Sequence, residues 1–153
     1  MSAMTDRVGP PILCLHGVTR LGRDWSTVVG GLAPRYQLHL LDFHGHGDSE
    51  PIAGRTRVID YVADAVSAIQ QVIEEPVIIL GHSLGAMVAL RVAAQMPGEV
   101  LGVVLEDPPY DTMGPRIAET PFLSQFVGFH RILTESPTTD VRELARRLAN
   151  VTI

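Results

Sequence analysis

Four short apolar runs punctuate the chain: Ile12 to Leu15, Leu38 to Leu41, Val77 to Leu80 and Leu101 to Leu105. Each reads as a near-continuous block rather than the strict alternation of a half-exposed strand, the pattern of strands buried on both faces of a parallel sheet. Between them the period changes. Val58, Val62, Ala65, Ile69 and Val72 recur at intervals of three and four and draw one helical stripe. Trp25, Val28, Val29 and Leu32 predict a shorter helix after the first strand, and the Ala- and Val-rich segment from Leu84 to Gln95 one after the third. The alternation of strand and helix predicts an α/β fold, a parallel sheet flanked by helices.

The texture shifts after Leu105. Glu106-Asp107-Pro108-Pro109-Tyr110 ends the strand, and Phe122 to Leu133 is apolar without strand punctuation. Pro137 precedes a last helix that should start at Asp140 as N-cap, with Glu143 three residues on as in a capping box, and with Val141, Leu144, Leu148 and Val151 on one face. Phe122, Phe126, Val127 and Phe129 read first as helix-packing residues and second as the lining of an apolar acyl pocket. The expected organisation is a core over residues 1–110 and a truncated helical cap segment over 111–153. No repeat, low-complexity tract or dividing linker interrupts it.

Composition narrows the function classes. With 153 residues, one domain with a core is the natural count. A net charge of -5 and no basic run argue against a nucleic-acid or anionic-membrane surface and favour a small-molecule partner. No apolar run reaches the roughly 18 residues of a membrane span, and Met1 to Asp6 lack the layout of a signal peptide, so a cytoplasmic protein is expected. The lone cysteine, Cys14, lies within the first apolar run and reads as a small core residue.

Chemistry concentrates at Gly81-His82-Ser83-Leu84-Gly85. Gly-x-Ser-x-Gly alone is a weak pattern, but here it follows a buried run and precedes a helix, the strand-turn-helix setting of a nucleophile elbow. In such a turn Gly81 and Gly85 remove side chains that would collide with neighbouring backbone, and Ser83 is lifted above the sheet edge. The helix that follows aims its free amides at an oxyanion beside Ser83, and Leu84 supplies the first donor. Leu15-His16-Gly17-Val18 ends the first strand where the Val18 amide would supply the second.

Four stretches carry a resemblance: Gly9 to Gly17, Asp24-Trp25, Asp42-Phe43-His44-Gly45-His46-Gly47-Asp48-Ser49, and Gly81 to Ala86. In this order and spacing the sequence resembles the α/β-hydrolase superfamily, in its cap-bearing esterase, lipase and haloperoxidase-like branch. The resemblance covers roughly residues 9 to 110. It implies that the four runs are the family's third to sixth strands, lying side by side as four, three, five, six. It also implies that Ser83 is the nucleophile acting on an ester-like carbonyl and that the Val18 and Leu84 amides form the oxyanion hole, and it implies no metal or organic cofactor.

The sequence departs from the family in what it lacks. Members usually carry a β-hairpin before the Gly9 stretch and, after the cap, two strands bearing the catalytic acid and then the histidine, whereas this chain stops at Ile153. Of six histidines none is expected to act as the base: His82 should pack beneath the elbow, His16, His44 and His46 lie in glycine-rich loops, His39 lies within a strand, and His130 would have to swing over Ser83. Asp107, after the strand beside the elbow, reads first as a cap-entry residue and second as a candidate acid. Two functions therefore stand side by side: a serine hydrolase of which this chain is a fragment, a truncated product or one half completed by a C-terminal half or another subunit, and a non-catalytic α/β module or inactive fragment serving binding or assembly.

Overall fold

The computed structural model describes residues 9–51, 53–54, 56–112, 114–135 and 137–151; Met1 to Asp6 and Ile153 lie outside the described residues. Four strands, β1 (Ile12–Leu15), β2 (Leu38–Leu41), β3 (Val77–His82) and β4 (Val100–Glu106), form one parallel sheet in the order β2-β1-β3-β4. This is the order four, three, five, six that the resemblance implies. Helical segments connect them: α1 (Ser26–Val29) between two 3-10 turns, α2 (Val58–Ala68) and α3 (Leu84–Gln95). The chain divides into two compact units, residues 1–109 and 110–153, and the second contains α4 (Pro121–Glu135) and α5 (Val141–Ala149).

The period of two along β1 sorts its side chains onto two cores. Leu13 and Leu15 join Val77 and Ile79 against Val62, Ala65 and Ile69 of the α2 side and Val88, Ala89 and Val92 of α3. Ile12 and Cys14 face the other way, onto Trp25 and Val29. Only β1 is buried at every position, because it is flanked by strands and covered on both faces. The expectation of four doubly buried strands is corrected for the rest: β3 alternates, and β4 exposes Leu101 and Val104. Leu101 is the extra residue of a β-bulge, since Val77 pairs with Val100 and Ile78 with Gly102, so it has no partner on β3.

The α2 stripe holds through Val62, Ala65 and Ile69 and then shifts. A π-helical turn over Ile69–Ile73 delays the phase by one residue, so Ile73 is buried and Val72 is exposed. The helix ends at Glu74 with φ 54°, its N–H returning to the Ile69 carbonyl. The helix expected from Trp25 to Leu32 is broken into three short turns, and of its four stripe residues Trp25 and Val29 are buried while Val28 and Leu32 are exposed.

In the second unit Asp140 caps α5, accepting from the Arg142 and Glu143 amides. The capping box does not close: the Glu143 carboxylate turns along the helix to Arg146 and Arg147, and the Asp140 N–H donates to Thr138. On the apolar face Val141 is exposed, whereas Val151 packs onto Gly128 of α4. Phe122 stacks on Phe126, and no residue of α4 is fully buried. Among the described residues no helix is long and apolar enough to cross a membrane.

Candidate active site

Strand β3 runs into α3 through a single residue, Ser83, whose φ of 51° and ψ of -110° lie outside the regions open to ordinary side chains. Holding a non-glycine residue there costs about 1–3 kcal/mol and needs restraint from both sides. The Ser83 N–H donates to the Glu106 carbonyl of β4 (2.9 Å), and the Ser83 carbonyl accepts from the Ala86 and Met87 amides (3.1 and 3.2 Å). The hydroxyl makes no cap bond to its own helix although Ser83 occupies the N-cap, because that bond belongs to an extended N-cap backbone.

Both glycines of the turn are required by space. A Cβ on Gly81 would overlap the Gly85 carbonyl, and one on Gly85 would overlap the Leu15 carbonyl. The first turn of α3 is thus laid directly on the end of β1, which sets the Leu84 N–H, an amide with no acceptor inside its helix, at the same sheet edge as the His16-Gly17-Val18 loop. A Cβ on Gly17 would meet the Ser83 Cβ at 3.4 Å, so this loop touches the elbow directly.

The loop is fixed by its histidine. His16 is buried, its Nε2 accepts the Phe43 N–H (3.1 Å), and its Nδ1 therefore carries the proton and donates to the Gly17 carbonyl (2.8 Å). Burial pushes its pKa below the ordinary histidine value, so the ring is held neutral. The Gly17 carbonyl also accepts from the Arg20 N–H (3.0 Å). Because a trans peptide points its N–H opposite to its C=O, pinning the Gly17 oxygen fixes the direction of the Val18 N–H.

The other rings are engaged in different ways. The His44 backbone N–H and Nδ1 both meet one Asp64 carboxylate oxygen (3.0 and 2.7 Å), and the ring stacks on Tyr61. The His46 ring contacts the Val18 carbonyl through Nε2 (2.9 Å) and the His44 carbonyl through Nδ1 (3.2 Å). His39 lies in β2 and His130 on the exposed side of α4. His82 departs from the expected place beneath the elbow. Two residues on from Leu80, it shares the sheet face of Ile78 and Leu80 on the Trp25 side, and its Nδ1 would be 2.7 Å from a Cβ on Gly17.

His82 therefore lines a cleft of about 240 Å³, together with Gly17, Leu21, Trp25 and Glu106. Glu106 is paired in register with His82. Its position was not singled out in the sequence, although the residue next to Asp107 on the strand beside the elbow was the available signal. Asp107 itself is exposed, has φ 47°, and its carboxylate accepts no hydrogen bond among the described residues. Among the described residues no group of three or more histidines, cysteines, aspartates or glutamates is arranged to hold a metal ion.

A family model described as the alpha/beta hydrolase fold matches residues 10–137. Among curated proteins, a pimeloyl-[acyl-carrier protein] methyl ester esterase of Xanthomonas oryzae pv. oryzae is 39% identical over 101 residues, covering 63% of this chain and 36% of the esterase. The lipase LipV of Mycobacterium tuberculosis is 34% identical over 117 residues, covering 74% of this chain and 44% of the lipase. Among solved structures, a marine microorganism esterase superposes with a TM-score of 0.75 at 26% identity, covering 94% of this chain and 55% of that one. The chain thus spans less than half the length of these two curated relatives.

Proposed function

Because this chain belongs to the α/β-hydrolase fold family, we propose that it supplies the nucleophile and the oxyanion hole of a serine hydrolase acting on a small-molecule ester. Ser83 Oγ attacks the ester carbonyl, and the carbonyl oxygen, gaining negative charge, is received by the Leu84 and Val18 amides. The developing charge also lies at the N-terminus of α3, where the helix dipole favours it. An esterase and a lipase among the relatives support the reaction class. The observation that carries the reading is the backbone of Ser83. A strained serine braced from β4 and α3, with its hydroxyl free of its own helix, is costly to maintain and suits an exposed nucleophile.

The hydroxyl proton needs an acceptor. His16 has both ring nitrogens in structural bonds, and His44 and His46 are tied to Asp64 and to the Val18 loop. His82 adjoins Ser83 in the chain, where successive side chains point apart, and His39 and His130 lie in β2 and on α4; in this reading the base is a histidine from a further segment of the protein or from another subunit, and Asp107 is the candidate acid within this chain. The commitment of these rings also favours the second reading, a non-catalytic α/β module for binding. Hydrolysis of p-nitrophenyl acetate by the chain together with the segment or subunit that supplies the base, compared with the same assembly carrying Ser83→Ala, separates the two. Turnover that Ser83→Ala abolishes is expected of the hydrolase; turnover that Ser83→Ala leaves intact would sink the assignment of Ser83.

A further inference from the structure

The stretch Asp42 to Ser49 is left without a role by the nucleophile and its oxyanion donors, yet it is tied to the Val18 loop at three points. The Phe43 N–H donates to His16 Nε2 (3.1 Å), the Asp42 carboxylate accepts the Gly22 N–H (2.7 Å), and His46 Nε2 meets the Val18 carbonyl (2.9 Å). The stretch is itself cross-linked by hydrogen bonds. The Ser49 hydroxyl donates to the Asp42 carbonyl (2.7 Å), the Gly45 N–H donates to the Glu50 carbonyl (3.1 Å), and Gly45 and Gly47 take φ of 72° and 55°. Gly47 lies so close to the Asp42 carboxylate that a side chain there would overlap it. Glycine is required at this turn both for its φ and for the space.

We propose that His46 is a positioning residue for the oxyanion hole, holding the Val18 carbonyl so that the preceding peptide presents its N–H to the substrate. This rests on the reading of Val18 as an oxyanion donor. His16 and the Arg20 amide fix the peptide that contains the Val18 N–H, through the Gly17 oxygen. His46 fixes the next peptide, through the Val18 oxygen, so the Val18 Cα is clamped between two pinned planes. In the tautomer that carries its proton on Nε2, the ring donates to the Val18 carbonyl, the shorter of its two contacts. The His46 ring also packs against His16, with centroids 4.9 Å apart, so the two clamps support each other. Nothing in this arrangement brings His46 to the reacting atoms, and its effect passes through the Val18 loop.

Two variants test the inference. His46→Phe keeps a ring against His16 and removes the donor, and His46→Gln returns an N–H at a similar reach. Fluorophosphonate labelling of Ser83 should slow about 10-fold in His46→Phe, less than the 10²- to 10³-fold of losing a donor outright. His46→Gln should recover most of that rate, and both variants should melt close to the parent temperature. The Val18 amide resonance should move and broaden in His46→Phe while the Leu84 amide stays in place. Parent-like labelling in His46→Phe, or an unchanged Val18 amide, would overturn the inference. If the parent chain itself is not labelled, the reading of Ser83 fails, and the Val18 amide resonance alone decides the role of His46.

Discussion

Gly85, on the first turn of α3, lies against the carbonyl of Leu15 at the end of β1, so close that a single added carbon would overlap the oxygen. This contact determines where the helix starts and hence where the Leu84 amide stands relative to the Val18 loop. The elbow is therefore a matter of backbone packing before it is a matter of chemistry.

An alanine at Gly85 must push α3 off β1. Such overpacking costs on the order of 3 kcal/mol. By contrast Gly98 has nothing within 4 Å of an added Cβ, and Gly98→Ala should change stability by less than about 0.5 kcal/mol. Urea midpoints of the two variants against the parent measure the difference.

In the proposed reaction Ser83 carries its strain for its hydroxyl. Replacing it by glycine, which adopts positive φ freely, should raise stability by about 1 kcal/mol, whereas Ser83→Ala keeps the strain and should be near neutral. Equal stability of all three proteins in urea would mean that the backbone at residue 83 is not strained.

Two buried groups report on the folded state. Burial raises the Cys14 thiol pKa to about 11, so at pH 8 the folded protein should react with a disulfide reagent only as fast as it opens. Reaction at the rate of a free thiol without denaturant would contradict the burial of β1.

His16 gives a pH dependence with a definite sign. Burial lowers its pKa below the ordinary histidine value of 6.5, so the unfolded chain binds the proton more readily than the folded one. The stabilisation from the neutral ring is complete above pH 6.5 and is lost as pH falls below it towards the depressed folded value. The stability gap between the parent and His16→Asn, measured in urea, should shrink from pH 7 to pH 5. A constant gap would mean that the ring is not held neutral.

Much of this was legible from residue types. Apolar blocks separated by helical periods set four parallel strands, and glycines flanking a serine after a buried run marked the elbow. What escaped the sequence depends on phase and on long-range pairing. A π-helical turn is invisible to a 3.6-residue period, so Val72 was expected in the core where Ile73 lies. The place of His82 follows from strand parity continuing through the glycine, which the turn motif by itself obscures. The brace from His46 to Val18 joins residues 28 positions apart, and no local pattern encodes such a pair.

The account stands or falls on Ser83. Treating the folded chain with a fluorophosphonate and mapping the adduct by mass spectrometry tests it most directly. The prediction is one adduct, on Ser83, that forms faster than on any other serine and disappears in Ser83→Ala. A folded chain that stays unlabelled, or labels its other serines at the same rate, would contradict it.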